Sequence, residues 1–342
     1  MKRWKGYEHG INLGGWFSQC DHTKERYDGF IKESDIEKIG SWGLDHLRLP
    51  VDYNLVEDEE GNYSEEGFAY IEKVLSWCGK YGLNMVLDLH KTFGYSFDDG
   101  EQETGFFENE DYQERFYLLW EQFAKRYAGA GDAIAFELLN EVTKKEYCDI
   151  WNRISTCCIE RIRAIASDVK ILVGGYYNNS IEALPDLLPP YDDNIVYNFH
   201  CYEPLIFTHQ GAYWIPEMDR AFRMSVNDTY RGIKEKSDRN LPSTAVDLDA
   251  FDQDAILDEG FFEALFGKAK AVAEERNVPL YCGEYGVINL ADPADTLRWY
   301  QLIGNTFNKF GIGRAAWSYR EMDFGLVDPH MSGVLDEVIK LL

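Results

Sequence analysis

The 342-residue sequence lacks several patterns that mark common protein classes. No stretch approaches the roughly 18 consecutive apolar residues of a membrane-spanning helix. No G-x-G-x-x-G follows an apolar run, and neither G-x-x-x-x-G-K-[ST] nor H-E-x-x-H occurs. The sequence therefore does not indicate a membrane protein, a dinucleotide or P-loop nucleotide site, or a zincin-type metal site.

Cysteine is present but in a pattern that excludes two of its usual roles. The seven cysteines are odd in number and irregularly spaced, and no C-x-x-C pair occurs, so neither a disulfide framework nor a zinc site is predicted. The first residues, MKRWKGYEHGINLGG, are basic but have no apolar run behind them, unlike a signal peptide. We therefore expect a reducing, cytoplasmic setting, with secretion by another route left open.

Positive charge is scarce relative to negative charge. There are 34 Lys and Arg against 60 Asp and Glu, a formal net charge of −26. Such a field repels phosphates, so we expect no nucleic-acid or membrane partner, whereas a neutral substrate is not penalised. Because 45% of the residues are hydrophobic and 15% aromatic, the chain can form a large core. We expect a monomer, and we interpret the negative charge as a contribution to solubility.

Short apolar runs typical of buried strands alternate with amphipathic helical patterns along the chain. Eight such repeats predict a (β/α)8 TIM barrel in a single catalytic domain over residues 1–342, in preference to a doubly wound sheet, whose glycine-rich motif is missing. The predicted strands lie at 10–14, 44–50, 83–90, 133–140, 169–175, 194–200, 278–286 and 312–319.

The segment 205–260 interrupts this alternation between the sixth strand and its helix. It is far longer than the usual connection of about 2–6 residues, and its second half is polar and weakly periodic. We interpret it as an insertion over the carboxyl-end face of the barrel, where active sites of this fold lie.

Polar and aromatic residues stand directly at the ends of the predicted strands, where a barrel brings them to one cavity. Taken singly, each has an ordinary alternative: a salt bridge, a buried histidine, a rim residue or a core aromatic. Together they are hard to explain by packing alone. The set comprises Arg48, His90, Asn140, Glu141, His200, Tyr202, Glu284 and Trp317.

Glu141 and Glu284 follow strands four and seven on opposite sides of the predicted mouth. Glycoside hydrolysis requires such a pair, one carboxyl to protonate the leaving oxygen and one to attack or to activate water. Histidine and glutamate also bind zinc, but His90 and His200 stand on separate strands near an arginine, so a metal-dependent hydrolase is the weaker alternative.

The strings HLRLP (46–50), LDLHK (87–91), FELLNEV (136–142), YNFHCYEP (197–204), YCGEYGV (281–287) and AAWSY (315–319) resemble glycoside hydrolase family 5. Within that family the chain resembles the endoglucanase C type of clostridia, over essentially its whole length. One departure is Val142, where many members have proline after the glutamate. That difference bears on the subfamily and leaves the catalytic glutamate in place.

The resemblance implies that Glu141 is the acid/base and Glu284 the nucleophile of a retaining endo-β-glucanase acting on β-1,4 and mixed β-1,3/1,4 glucan. With these roles, we expect ionised Glu284 to raise the pKa of Glu141 by like-charge repulsion. The same resemblance implies that the other strand-end residues complete the site, that Trp214 of the insertion lines the cleft, and that the Trp317–Ser318 peptide bond is cis. It also implies a β-glucan poly- or oligosaccharide as the partner, with no metal and no cofactor. A β-mannanase, an exo-β-glucosidase and a non-catalytic carbohydrate-binding barrel remain alternatives.

Overall fold

The computed structural model describes residues 1–98, 100–244 and 247–342. Eight parallel strands close into a barrel in chain order, with the eighth strand pairing back onto the first. The strands are β1 (His9–Asn12), β2 (His46–Asp52), β3 (Asn84–Lys91), β4 (Ile134–Glu137), β5 (Lys170–Val173), β6 (Ile195–His200), β7 (Leu280–Tyr285) and β8 (Gly313–Ala316). This confirms the predicted TIM barrel.

Helices cover the outside of the barrel. They are α1 (Lys24–Gly29), α2 (Glu33–Ser41), α3 (Glu65–Tyr81), α4 (Glu110–Tyr127), α5 (Cys148–Arg163), α6 (Leu205–Thr208), α7 (Tyr230–Asn240), α8 (Glu259–Arg276), α9 (Pro293–Phe310) and α10 (Leu335–Ile339). The connection after β5 carries no long helix, and a turn over Tyr176–Asn179 and a 3-10 helix over Ile181–Asp186 stand there.

The helix α3 illustrates how local sequence sets these elements. The Ser64 side chain accepts a hydrogen bond from the Gly67 backbone N–H and caps the first turn. The last turn ends at Gly82, whose φ of 73° is the left-handed conformation that glycine adopts without a Cβ clash. Between the two ends, Phe68 and Ile71 recur at helical spacing and are fully buried against the barrel.

The interior of the barrel has two layers, stacked one above the other along the barrel axis. The lower layer is mostly apolar and closes the amino-terminal end of the barrel; it consists of Trp4, Tyr7, Val86, Ala135, Leu172, Val196, Tyr281 and Ala315. The polar layer follows two residues further along several strands and consists of Asn12, Arg48, Asp88, Glu137 and Asn198, all 0% exposed. Because inward residues recur every second position, the polar layer lies directly beneath the carboxyl-end mouth.

Residues 201–258 separate β6 from α8 and contain the short helices α6 and α7. The start of this segment lies at the mouth, since the Ile288 N–H donates to the Thr208 carbonyl and Ala212 packs in a cluster with Trp317.

All seven cysteines lie in the described part of the chain and carry free thiols. No helix in the described ranges has the length and apolar character needed to span a membrane.

Candidate active site

Glu141 and Glu284 face each other at the carboxyl-end mouth. Glu284 is a β7 residue, and Glu141 lies in the loop directly after β4. Both side chains are mostly buried, and one carboxylate oxygen of each lies within 4.8 Å of the other. The structure thus brings together the two carboxylates that the sequence singled out.

Glu284 is held by two donors, one on each oxygen. Arg48 Nη1 donates to Oε1 at 2.8 Å, and the Tyr202 hydroxyl donates to Oε2 at 2.8 Å. Burial, together with the charge of Glu284, raises the pKa of Tyr202 well above its usual value, so the phenol keeps its proton and acts as a donor. An ionised carboxylate with both oxygens fixed in this way is pre-oriented.

Arg48 is itself fixed by the polar layer. Its Nε and Nη2 donate to the two oxygens of Glu137 at 2.7 and 2.8 Å, and Nη2 lies 3.0 Å from Asp88. Nη1 and Nη2 also donate to the side-chain oxygens of Asn12 and Asn140. Although the guanidinium is completely buried, the charges of Asp88 and Glu137 keep its pKa well above the usual value. Arg48 is therefore a rigid cation aimed at Glu284.

Glu141 also has a donor on each oxygen. His200 Nδ1 lies 2.7 Å from Oε1, and Asn178 Nδ2 donates to Oε2 at 2.9 Å. The backbone of Glu141 has φ 41°, and its carbonyl accepts a hydrogen bond from the Tyr95 hydroxyl at 2.7 Å. Burial raises the pKa of Glu141, against the opposing effect of the Asn178 hydrogen bond. The direction is the one predicted, but its cause is burial and not the predicted charge of Glu284.

His200 is neutral in this site and donates through Nδ1. Burial lowers its pKa to about 4, and the Asn179 side-chain amide lies 3.4 Å from Nε2, so the proton resides on Nδ1. A Cβ at position 283 would come within 2.9 Å of His200 Nε2, and Gly283 leaves that space open.

His90 and Trp317 lie parallel on another side of the mouth, with their ring planes 3° apart and their centroids separated by 5.8 Å. Although burial opposes protonation of His90, the charge and hydrogen bond of Asp88 raise its pKa overall. His90 Nε2 and Asn140 Nδ2 are buried nitrogen atoms without a hydrogen-bond partner within the described residues. These two atoms are available to hydroxyl groups of a ligand.

Trp214 stands at the edge of the site and is 41% exposed. Its ring contacts His209 and Phe324, and Phe324 in turn contacts Tyr202. The structure therefore connects Trp214 to the mouth through one aromatic neighbour. The Trp317–Ser318 peptide bond is cis, as the resemblance implies.

Glu141, His200 and Glu284 form one group whose donor atoms lie within 4.8 Å of one another, as a metal site would require. Both oxygens of Glu284 already accept hydrogen bonds from Arg48 and Tyr202, and His200 Nδ1 is bonded to Glu141. A buried guanidinium also opposes a second cation at this position. We assign these three side chains to a hydrogen-bond network and not to a metal site.

Several residues of the network were missed from the sequence. Asn12 and Glu137 are the last residues of β1 and β4, and Asp88 and Asn198 precede His90 and His200 by two residues. A polar residue on the inward face of an otherwise apolar strand is therefore a usable signal. Asn178 and Asn179 carry no such signal, because a turn after β5 brings them to the site.

An eight-stranded parallel barrel with two carboxylates facing across its carboxyl-end mouth is the arrangement of a glycoside hydrolase. The chain belongs to the family described as cellulase, glycosyl hydrolase family 5, whose model matches residues 4–323. It is accordingly a hydrolase of the cellulase type.

Similar proteins agree with this family. The chain is 49% identical over 314 residues to cellodextrinase A of Ruminococcus flavefaciens, covering 92% of this chain and 86% of that one. It is 38% identical over 341 residues to endoglucanase C of Acetivibrio thermocellus, covering 98% of both. Among solved structures, a hyperthermophilic endo-beta-1,4-glucanase in complex with substrate matches with a TM-score of 0.77 at 20% identity, covering 98% of this chain and 97% of that one. This last likeness shows the fold alone.

Proposed function

We propose that the protein is a retaining endo-β-glucanase that hydrolyses β-1,4 and mixed β-1,3/1,4 glucan by double displacement. The observation that carries the proposal is the short distance between the two carboxylates, with oxygens of Glu141 and Glu284 within 4.8 Å of each other. Retaining glycosidases have carboxyl groups about 5–5.5 Å apart, whereas inverting enzymes leave room for a water between them.

The surroundings of the two carboxylates support different roles. Glu284, bound by Arg48 and Tyr202, is suited to attack the anomeric carbon as an ionised nucleophile. Glu141, whose pKa is raised by burial, is suited to protonate the glycosidic oxygen. The leaving group departs with that proton, and a glycosyl ester forms on Glu284. Ionised Glu141 then takes a proton from water, which attacks the anomeric carbon and releases Glu284.

Two further features support a sugar as the ligand. The unpartnered buried nitrogens of His90 and Asn140 can form hydrogen bonds with hydroxyl groups near the reacting carbon. The Trp317 ring offers an apolar face beside them, on which a pyranose can pack.

The first experiment uses azide to separate the two roles. Glu284→Ala is expected to abolish hydrolysis of an aryl β-cellobioside, and azide should restore turnover by direct displacement, giving a glycosyl azide of inverted configuration. Glu141→Ala is the matched control: azide should enter after the glycosyl ester has formed and give the product of retained configuration. Wild-type activity of Glu284→Ala, or identical azide products from the two variants, would refute the assignment.

A second experiment ranks substrates, because the cellodextrinase A relative bears a name that points to short chains. Reducing-sugar release is compared on barley mixed-linkage glucan, a soluble cellulose derivative, laminarin, mannan and cellodextrins. Release of mixed oligosaccharides from the mixed-linkage glucan and the cellulose derivative supports endo action. Release from cellodextrins alone would replace it with exo or short-chain action, and release from mannan alone with a β-mannanase.

A further inference from the structure

The turn after β5 delivers a side chain to Glu141 that lies outside the strand-end set. Asn178 Nδ2 donates to Oε2 of Glu141 at 2.9 Å, and the Asn178 backbone N–H donates to the carbonyl of Val142 at 3.0 Å. Both bonds reach the same short segment after β4. Asn178 is therefore fixed by its backbone to the same loop whose carboxylate its side chain binds.

The backbone of this turn is unusual in a way that serves the contact. Three consecutive residues, Tyr177, Asn178 and Asn179, have φ of 50°, 57° and 56°. Asparagine tolerates this left-handed conformation better than most residues, whereas a bulky tyrosine does not. The turn points Asn178 at Glu141 and Asn179 at His200 Nε2, so both donors to Glu141 are positioned from one strained segment.

We propose that Asn178 is a positioning residue that sets the proton affinity of Glu141 in the two steps of the reaction. The proposal rests on the proposed acid/base role of Glu141. A donor at 2.9 Å stabilises the ionised carboxylate, which is the form needed when Glu141 activates water. It thereby opposes burial, which stabilises the protonated form needed when the leaving group departs.

Other titratable or charged groups also face Glu141, and they remain present when residue 178 is substituted. His200 of β6 bonds Oε1, and Glu284 of β7 lies within 4.8 Å. Arg48 and His90 contribute positive charge from β2 and β3, and Tyr202 lies beside Glu284. Asn178 carries no charge, so its removal changes the proton affinity of Glu141 without removing a charge.

The position of Asn178 predicts where its effect is largest. Asn178 and the adjoining Tyr177 are exposed, so in the free enzyme water can replace part of the hydrogen bond. Bound substrate would exclude that water and strengthen the interaction. The pH dependence of kcat, which reports the enzyme–substrate complex, should therefore respond more than that of kcat/KM, which reports the free enzyme.

The test measures pH profiles on phenyl β-cellobioside, whose poor leaving group requires an acid. Asn178→Asp keeps the shape and the left-handed preference but replaces the donor by a second carboxylate. The alkaline limb of kcat should move up by about one pH unit. Asn178→Gly keeps the backbone conformation without any side chain and should move the limb in the same direction by less.

The matched control is Asn277→Asp, the same change at an exposed left-handed residue at the end of α8, with φ 54°. It should leave the profile at its wild-type position. A second substrate, 2,4-dinitrophenyl β-cellobioside, needs no proton on its leaving group, so the cleavage step of the Asn178 variants should lose its alkaline shift.

The outcomes separate this inference from the proposed function. If Glu141→Ala slows phenyl but not dinitrophenyl cellobioside cleavage, Glu141 is the acid, and an unshifted limb in both Asn178 variants then overturns the inference alone. If Glu141→Ala slows both substrates equally, the acid/base role itself is wrong and the inference falls with it. A shifted limb in both Asn178 variants, absent in Asn277→Asp, supports both.

Discussion

The lower layer and the polar layer of the barrel interior share several of their strands but differ in polarity and in the contacts that hold them together. Val86 precedes Asp88 by two residues, and Ala135 precedes Glu137 by two, so the inward face of a strand changes from apolar to charged in one step. Neither layer is accessible to solvent. The lower layer packs by shape, with the Trp4 and Tyr7 rings stacked 4.0 Å apart, whereas the polar layer is held by directed hydrogen bonds.

The difference shows what each layer is for. Burying apolar side chains stabilises the fold, whereas a buried ion pair recovers little more than the cost of its own desolvation. Arg48 is nevertheless surrounded by Asp88, Glu137 and Glu284 in place of hydrophobic residues. The polar layer is therefore best understood as a rigid support for the carboxylate at the mouth, set on a lower layer that supplies stability.

The largest effect is expected from breaking the polar layer. All three contacts of the Glu137 oxygens are donors, two from Arg48 and one from Asn198, so Glu137→Gln places an N–H against a donor. We expect a loss of about 3–5 kcal/mol in the free energy of unfolding. We also expect a fall of about 10–100-fold in kcat/KM, because Arg48 loses its anchor. Denaturant unfolding and kinetics measure the two effects.

The control for this change is a buried ion pair away from the site. Glu57 is 3% exposed, and its Oε1 accepts a hydrogen bond from Arg115 Nε at 2.8 Å. Glu57→Gln should reduce stability but leave kcat/KM unchanged. Equal losses of kcat/KM in both variants would mean that the polar layer has no special relation to the site.

The complementary change opens a cavity in the lower layer. Leu172 is fully buried among the apolar residues there, and Leu172→Ala should cost about 2–5 kcal/mol of stability. Because this side chain bonds no residue of the polar layer, kcat/KM of the folded enzyme should stay near the wild-type value at temperatures well below unfolding. A large loss of kcat/KM with intact structure would show that the two layers are mechanically coupled.

The sequence was sufficient to predict most of this architecture. Continuous apolar runs mark strands buried on both faces, and all eight predicted runs contain the observed strands or overlap them. Because parallel strands end at the same edge of a barrel, residues at strand ends such as Arg48, Glu141 and Glu284 could be expected to converge, and the structure brings them together. Their catalytic roles stay predictions.

The remainder depends on tertiary contacts that no local pattern encodes. The polar layer left a trace in the sequence, as Asp88 and Glu137 interrupt apolar strands, but only the closed barrel shows that one arginine joins them. Asn178 left no trace, because its contact with Glu141 depends on a left-handed turn replacing the usual helix after β5.

The last prediction concerns the pH dependence of stability that His200 contributes at the mouth. Burial lowers the pKa of His200 to about 4, from an unfolded value of about 6.5. Between these values the unfolded chain binds more protons, so His200 makes stability fall as pH falls, by about 1.4 kcal/mol per pH unit at most, with no further change below about pH 4. His200→Gln should flatten this slope in denaturant titrations from pH 7 to 4, and His330→Gln, at a half-buried position, should flatten it less. An unchanged slope in His200→Gln would mean that the acid sensitivity of the protein arises elsewhere than at the mouth.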